Sequence, residues 1–124
     1  MPRLFLIIGA VAAGLAVALG AFGAHGLAGR VTPERLETFK TGVLYHMVHA
    51  LALLAVSWAS TQWPGWPVHA AGYLFLAGMV LFAGSLYLLV LTDTAWLGAI
   101  TPLGGVAFLI GWGLLAWGVF RYNV

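Results

Sequence analysis

The stretch TGVLYHMVHALALLAVSWAS, residues 41–60, decides what kind of protein this is. It carries no Asp, Glu, Lys or Arg, and at ~1.5 Å per helical residue it spans a hydrocarbon core of roughly 30 Å. Inside it lies Tyr45-His46-Met47-Val48-His49. Ionisable side chains are costly at that depth, so they face a bundle interior or a wet cavity and mark a candidate site.

Upstream, Thr32-Pro33-Glu34 reads as a helix start: a hydroxyl cap, a proline whose missing N–H is harmless at the first position, and an acid in the first turn. On a helical wheel Glu34, Glu37, Thr38, Thr41, Tyr45 and His49 share one face, opposite Leu36, Phe39, Val43, Met47 and Ala50. A polar stripe therefore begins at the interface and enters the membrane. Downstream, Thr61-Gln62-Trp63-Pro64-Gly65-Trp66-Pro67 is a turn by its Pro and Gly content, and with Trp58 and Tyr73 it forms an aromatic belt.

Three further apolar segments complete the chain. The first, near 4–25, opens like a signal peptide, with Ala21-Phe22-Gly23 as a passable cleavage site. It is longer than a signal core and three spans follow, so it is read as a retained helix. Its ridge of Ala12, Ala16, Gly20 and Ala24 suits close helix packing. The third runs near 68–91, with Gly72, Gly78 and Gly84 as small packing positions. After Thr92-Asp93-Thr94 the fourth runs near 96–120, with a kink or break at Pro102. Gly104-Gly105 within it reads as close packing. The expectation is an all-α, integral membrane, four-helix antiparallel bundle with spans near 4–25, 38–60, 68–91 and 96–120, in one transmembrane domain over residues 1–124.

Composition agrees. Of 124 residues, 63% are hydrophobic and 6% charged, with a mean hydropathy of +1.04. A soluble domain is about 25% charged, so this chain lacks the means to cover a water-facing surface. The net charge of +2 rests on Arg3, Arg30, Arg35, Lys40 and Arg121, with no basic run to bind nucleic acid. There is no cysteine, which excludes disulfides, thiolate metal sites and haem attachment through CxxCH.

Antiparallel threading brings the end of span one, the start of two, the end of three and the start of four to one membrane face. The candidate site residues are thus His25, Tyr45, His46, His49, Ser85, Tyr87 and Thr101, gathered in one leaflet half, with the other half plain Leu, Val and Ala. His46 and His49, three apart, can share a helix face, and His25 offers a third imidazole. These three are the candidates for a metal, although the nearest carboxylates, Glu34 and Glu37, sit at the interface. His69 reads as a headgroup contact at the opposite interface, Asp93 as a turn residue, and Arg3 and Arg121 as snorkelling anchors. No catalytic set is present: Ser-His-Asp spacing, paired carboxylates and phosphate-cradling glycine loops are all missing.

Four ordered motifs carry a family resemblance: Gly20-Ala21-Phe22-Gly23-Ala24-His25-Gly26, Thr41-Gly42-Val43-Leu44-Tyr45-His46-Met47-Val48-His49-Ala50, Phe82-Ala83-Gly84-Ser85-Leu86-Tyr87 and Thr101-Pro102-Leu103-Gly104-Gly105. Over essentially its whole length the chain resembles the domain of unknown function 423 family, the YgdD-like small membrane proteins, and it is similar to eukaryotic transmembrane protein 256. The resemblance implies a four-helix protein of the bacterial inner membrane and brings no established activity. It matches His25, Tyr45 and His49 to the family motif, whereas position 46 also takes glutamine there, which weakens His46 as a ligand.

Two functions stay open: binding or passing a small molecule or ion at the His/Tyr/Ser-lined pocket, or a structural or assembly role in which the polar residues only pin the helices. An enzyme is a distant third. No cofactor is expected. The expected partners are the lipid bilayer and either a second copy or another membrane protein. Lys and Arg counts alone favour termini outside. Glu34 and Glu37 among the connector cations, the amino terminus and the family resemblance lead us to expect cytoplasmic termini.

Overall fold

The computed structural model describes residues 2–122. Helix α1 spans Pro2–Phe22 and runs on through a π-helical turn, Gly23–Leu27; α2 spans Pro33–Gln62. The third span is α3, Trp66–Gly78, a π-helical turn, Met79–Ala83, and α4, Gly84–Thr92. The fourth begins as a 3₁₀ turn, Ala95–Ala99, and continues as α5, Thr101–Arg121. Among the described residues four helical stretches are thus long and apolar enough to cross a membrane: Pro2–Leu27, Pro33–Gln62, Trp66–Thr92 and Ala95–Arg121.

The local signals act as the residues dictate. Thr32 caps α2, its Oγ1 accepting the Arg35 N–H at 3.2 Å, with Pro33 at the first position. The helix then continues unbroken, so the charged turn and the second span form one rod. Pro102 cannot donate a backbone hydrogen bond, and the tighter 3₁₀ turn precedes it. Asp93 takes the left-handed conformation, φ 51°, that ends α4 and turns the chain.

Helix α2 is the hub. Gly9 of α1 lies against Ala50 and Leu53, so closely that a Cβ would stand 2.9 Å from the Ala50 carbonyl oxygen. Phe5, fully buried, fills the space over Gly72 of α3. Spans three and four meet through Gly78 under the Phe108 ring, Gly104 against the Phe82 backbone and Gly111 under Phe75. Their core is Phe5, Leu53, Val56, Val68, Phe75 and Phe108. At the turn joining spans two and three, Trp58 and Trp63 pack edge to face, and Arg121 stacks over Trp117 at 4.7 Å and near Trp66 at 5.9 Å. The cation is thus held on the aromatic belt.

Two packing expectations need correction. In the first span the buried small residues are Gly9 and Ala16 of α1 and Gly23 of the π turn, while Ala24 is exposed; in the third span Gly72 and Gly78 pack, whereas Gly84 faces open space. Ala24 lies within one π turn and Gly84 directly after the other. A π turn takes one more residue than an α turn, so it rotates the residues beyond it out of the phase a regular wheel assigns.

Candidate functional site

The two histidines of α2 point to different helices. His46 Nδ1 lies 2.8 Å from the Tyr87 hydroxyl on α4, and Ala12 of α1 lines the same crevice. His49 Nδ1 lies 2.8 Å from the Tyr45 carbonyl one turn back, and its Nε2 accepts the Trp112 Nε1–H at 3.0 Å. A carbonyl only accepts and an indole N–H only donates, so these partners fix His49 as a neutral imidazole protonated on Nδ1. Its ring lies flat on Phe108, centroids 3.5 Å apart and 7° from parallel, with Phe75 at 5.4 Å. Ser85 Oγ donates to the Phe82 carbonyl at 2.9 Å and shares a 2.6 Å hydrogen bond with Thr101 Oγ1.

These pairs tie α2 to spans three and four, and span three to span four. Among the described residues no buried side-chain nitrogen or oxygen lacks a partner. The donor and acceptor sites of His49 are both occupied from within the protein.

His25 stands apart. Gly20 faces Val43 and Gly23 faces Phe39, so His25 is level with the start of α2, roughly 15 Å or more along the axis from His49. It is exposed. Among the described residues no group of three or more His, Asp or Glu is placed to hold a metal ion. The grouping of His25, His46 and His49 therefore fails, because one histidine lies at the helix end and the other two turn to different neighbours.

Gathering in one leaflet half also fails in part. His49 lies near the middle of α2 and its partner Trp112 lies ~16 Å along α5 from Thr101. In the other half, Ser57 Oγ donates to the Pro2 carbonyl at 2.6 Å and Ser60 Oγ to the Ser57 carbonyl at 2.8 Å. Trp112 is the residue that sequence reasoning missed. An indole in the middle of a span, away from the interfacial belt, was the available signal.

Beside this network a crevice of about 410 Å³ opens between α2, the π turn of span three and α5. Tyr45, Phe82 and Trp112 wall it, His49 and Phe108 form its floor, and Pro102 and Gly105 border it. The Tyr45 ring packs on Phe82 at 4.7 Å and is 41% exposed, and its hydroxyl has no hydrogen-bond partner among the described residues. Gly105 borders open space: a Cβ there would meet only the Phe82 ring, at 4.0 Å. The adjacent Gly104 is the opposite, with a Cβ only 2.4 Å from the Phe82 nitrogen.

The family model described as "Protein of unknown function (DUF423)" matches residues 19–105, which hold every one of the candidate residues named from sequence. The chain belongs to this family. It is 50% identical to the UPF0382 membrane protein YwdK of Bacillus subtilis (strain 168) over 121 residues, 97% of this chain and 98% of that one. It is 46% identical over 120 residues to a UPF0382 membrane protein of Staphylococcus aureus (strain bovine RF122 / ET3-1), and 42% identical over 125 residues to one of Staphylococcus saprophyticus. These cover 97% and 96% of this chain and 98% of each relative. No solved structure matches. This DUF423 chain is accordingly a multi-pass membrane protein of a family without an assigned role. Trp112, the indole partner of His49, lies beyond the matched segment.

Proposed function

We propose that this DUF423 protein is a membrane-embedded binding protein for an apolar, ring-bearing small molecule with one hydrogen-bonding group, taken up from the bilayer through the crevice between α2 and α5. One observation carries the reading: among the described residues every buried side-chain nitrogen and oxygen is paired, while the crevice keeps one free hydroxyl, that of the partly exposed Tyr45, among aromatic faces. Such apolar clefts with a few polar groups are the usual form of ligand sites, and 410 Å³ falls in their ordinary size range. The polar residues His49, Trp112, Ser85 and Thr101 then serve as the frame that holds the crevice open, rather than as ligands themselves. That role suits His49: a neutral imidazole with both nitrogens occupied contributes a flat face.

The test is to purify the wild-type protein, Tyr45→Phe and Gly105→Leu, and to compare small molecules co-extracted with each by mass spectrometry. A species retained by the wild type, reduced in Tyr45→Phe and absent from Gly105→Leu is the expected result. Identical extracts from three equally folded proteins would reject the binding function.

The second reading, a structural or assembly subunit, is favoured by the same pairing of every buried side-chain nitrogen and oxygen among the described residues. It expects those identical extracts. In either case we place the protein in the inner membrane with both termini in the cytoplasm. Reporters fused after Val124, one active only inside and one only outside, test this placement, and activity of the outside reporter alone would reverse it.

A further inference from the structure

At the end of the molecule away from the aromatic belt, Arg30 and Thr32 of the first connector and Arg35 in the first turn of α2 meet Val90 near the end of α4 and Asp93 of the turn that follows it. Together with Val31 they enclose a hollow of about 310 Å³. The Arg35 side chain is 30% exposed and gives one guanidinium nitrogen, Nη2, to Asp93 Oδ1 at 3.1 Å; among the described residues its other guanidinium N–H groups have no partner. Among the described residues the Arg30 side chain has no ion-pair partner. Thr32 Oγ1 accepts the Arg35 backbone N–H, which leaves the hydroxyl proton free to donate. The hollow thus presents donors from three side chains, two of them cationic, and one acceptor already engaged.

Its height in the membrane selects the occupant. The apolar stretches of spans one and three end at Leu27 and Thr92, and that of span four begins at Ala95. The hollow lies where those three ends meet, which is headgroup depth, and Trp96, at the start of span four and 66% exposed, suits an interfacial anchor. The lining charge, two arginines less one aspartate, leaves one positive charge for the occupant to balance. A phosphate diester supplies one negative charge; a quaternary ammonium on the same headgroup would be repelled by Arg30.

We infer that Arg30, Arg35 and Thr32 form a binding site for the phosphate diester of an anionic phospholipid. Fork geometry makes arginine suited to phosphate oxygens, and each guanidinium reaches two of them. The lipid's chains then lie along the apolar surface of the spans below. The site is separate from the α2–α5 crevice and stands or falls independently of it.

The experiment is a native mass spectrometric titration of the full chain in detergent with dioleoyl-phosphatidylglycerol, dioleoyl-phosphatidylcholine and inorganic phosphate. Phosphatidylglycerol should bind more tightly than phosphatidylcholine, with inorganic phosphate failing to displace it at equal concentration. Arg30→Gln, an exposed change with no ion pair to lose, should weaken phosphatidylglycerol binding by about 3- to 10-fold at unchanged melting temperature. Asp93→Asn tolerates the left-handed backbone, keeps an acceptor for Arg35 and removes the opposing charge, so it should tighten binding. Wild-type affinity in Arg30→Gln, or weaker binding in Asp93→Asn, would overturn the site. Displacement by equimolar inorganic phosphate would overturn the lipid as its occupant.

Discussion

Gly104 and Gly105 are neighbours in sequence and opposites in the fold. At Gly104, α5 rests on the backbone of the π turn in span three; a single carbon added there has nowhere to go. At Gly105, one residue or 100° further round the helix, the same two spans have parted and the space is the crevice under Tyr45. The seam and the crevice use the same helices and the same aromatic residues. What separates them is where a glycine faces backbone and where it faces a ring edge at van der Waals distance. The membrane supplies no hydrophobic force to pull helices together, so small residues in contact close the seam. Where they are not in contact, it stays open.

The largest effect should come from forcing the seam. Gly78→Ala places a carbon 2.4 Å from the Phe108 ring and 3.1 Å from the Gly104 carbonyl oxygen. Phe108 must then leave its stack on His49, and overpacking of this kind costs about 1–3 kcal/mol. Equilibrium unfolding in mixed detergent micelles checks it, and wild-type stability would mean that the seam is loose.

Next in size is the frame of the crevice. His49→Leu leaves the Trp112 N–H without its acceptor and should lose roughly 1–2 kcal/mol. A cycle with Trp112→Phe isolates the pair, with an expected coupling of about 0.6–1.7 kcal/mol. A coupling near zero would mean that His49 and Trp112 act separately, and the crevice would lose its wall. Smaller still is Ser85→Ala. Its hydroxyl sits between the Phe82 carbonyl and Thr101 Oγ1, and removing it should cost about 0.6 kcal/mol in the same assay. A loss as large as that of His49→Leu would shift the frame towards the Pro102 end.

The same contrast marks the limit of what sequence can convey. The four spans were legible because length and hydropathy are one-dimensional, and Thr32-Pro33 announced the start of α2 because a cap is local. The break before Pro102 came from one missing N–H. Tyr45, His46, His49, Ser85, Tyr87 and Thr101 do lie at helix contacts, but their partners were not legible. His46 and His49 look like a pair on a wheel and part in space, because which neighbour a side chain meets depends on the rotation of every helix about its own axis. The two π turns, Gly23–Leu27 and Met79–Ala83, shift that rotation without any proline to announce it. Hence Gly84 fell outside the place assigned to it, whereas His25 did so because it lies at the end of its span, level with the start of α2, and Trp112, remote from every motif, went unseen.

The contrast between adjacent glycines is tested most directly by unfolding Gly104→Ala and Gly105→Leu side by side in the same micelles. Gly104→Ala should be destabilised by about 1–3 kcal/mol. Gly105→Leu should match or exceed the wild type, since leucine favours a helix over glycine by up to about 1 kcal/mol and its side chain enters open space. A Gly105→Leu protein destabilised as much as Gly104→Ala would contradict the account, for it would mean that no crevice exists beneath Tyr45.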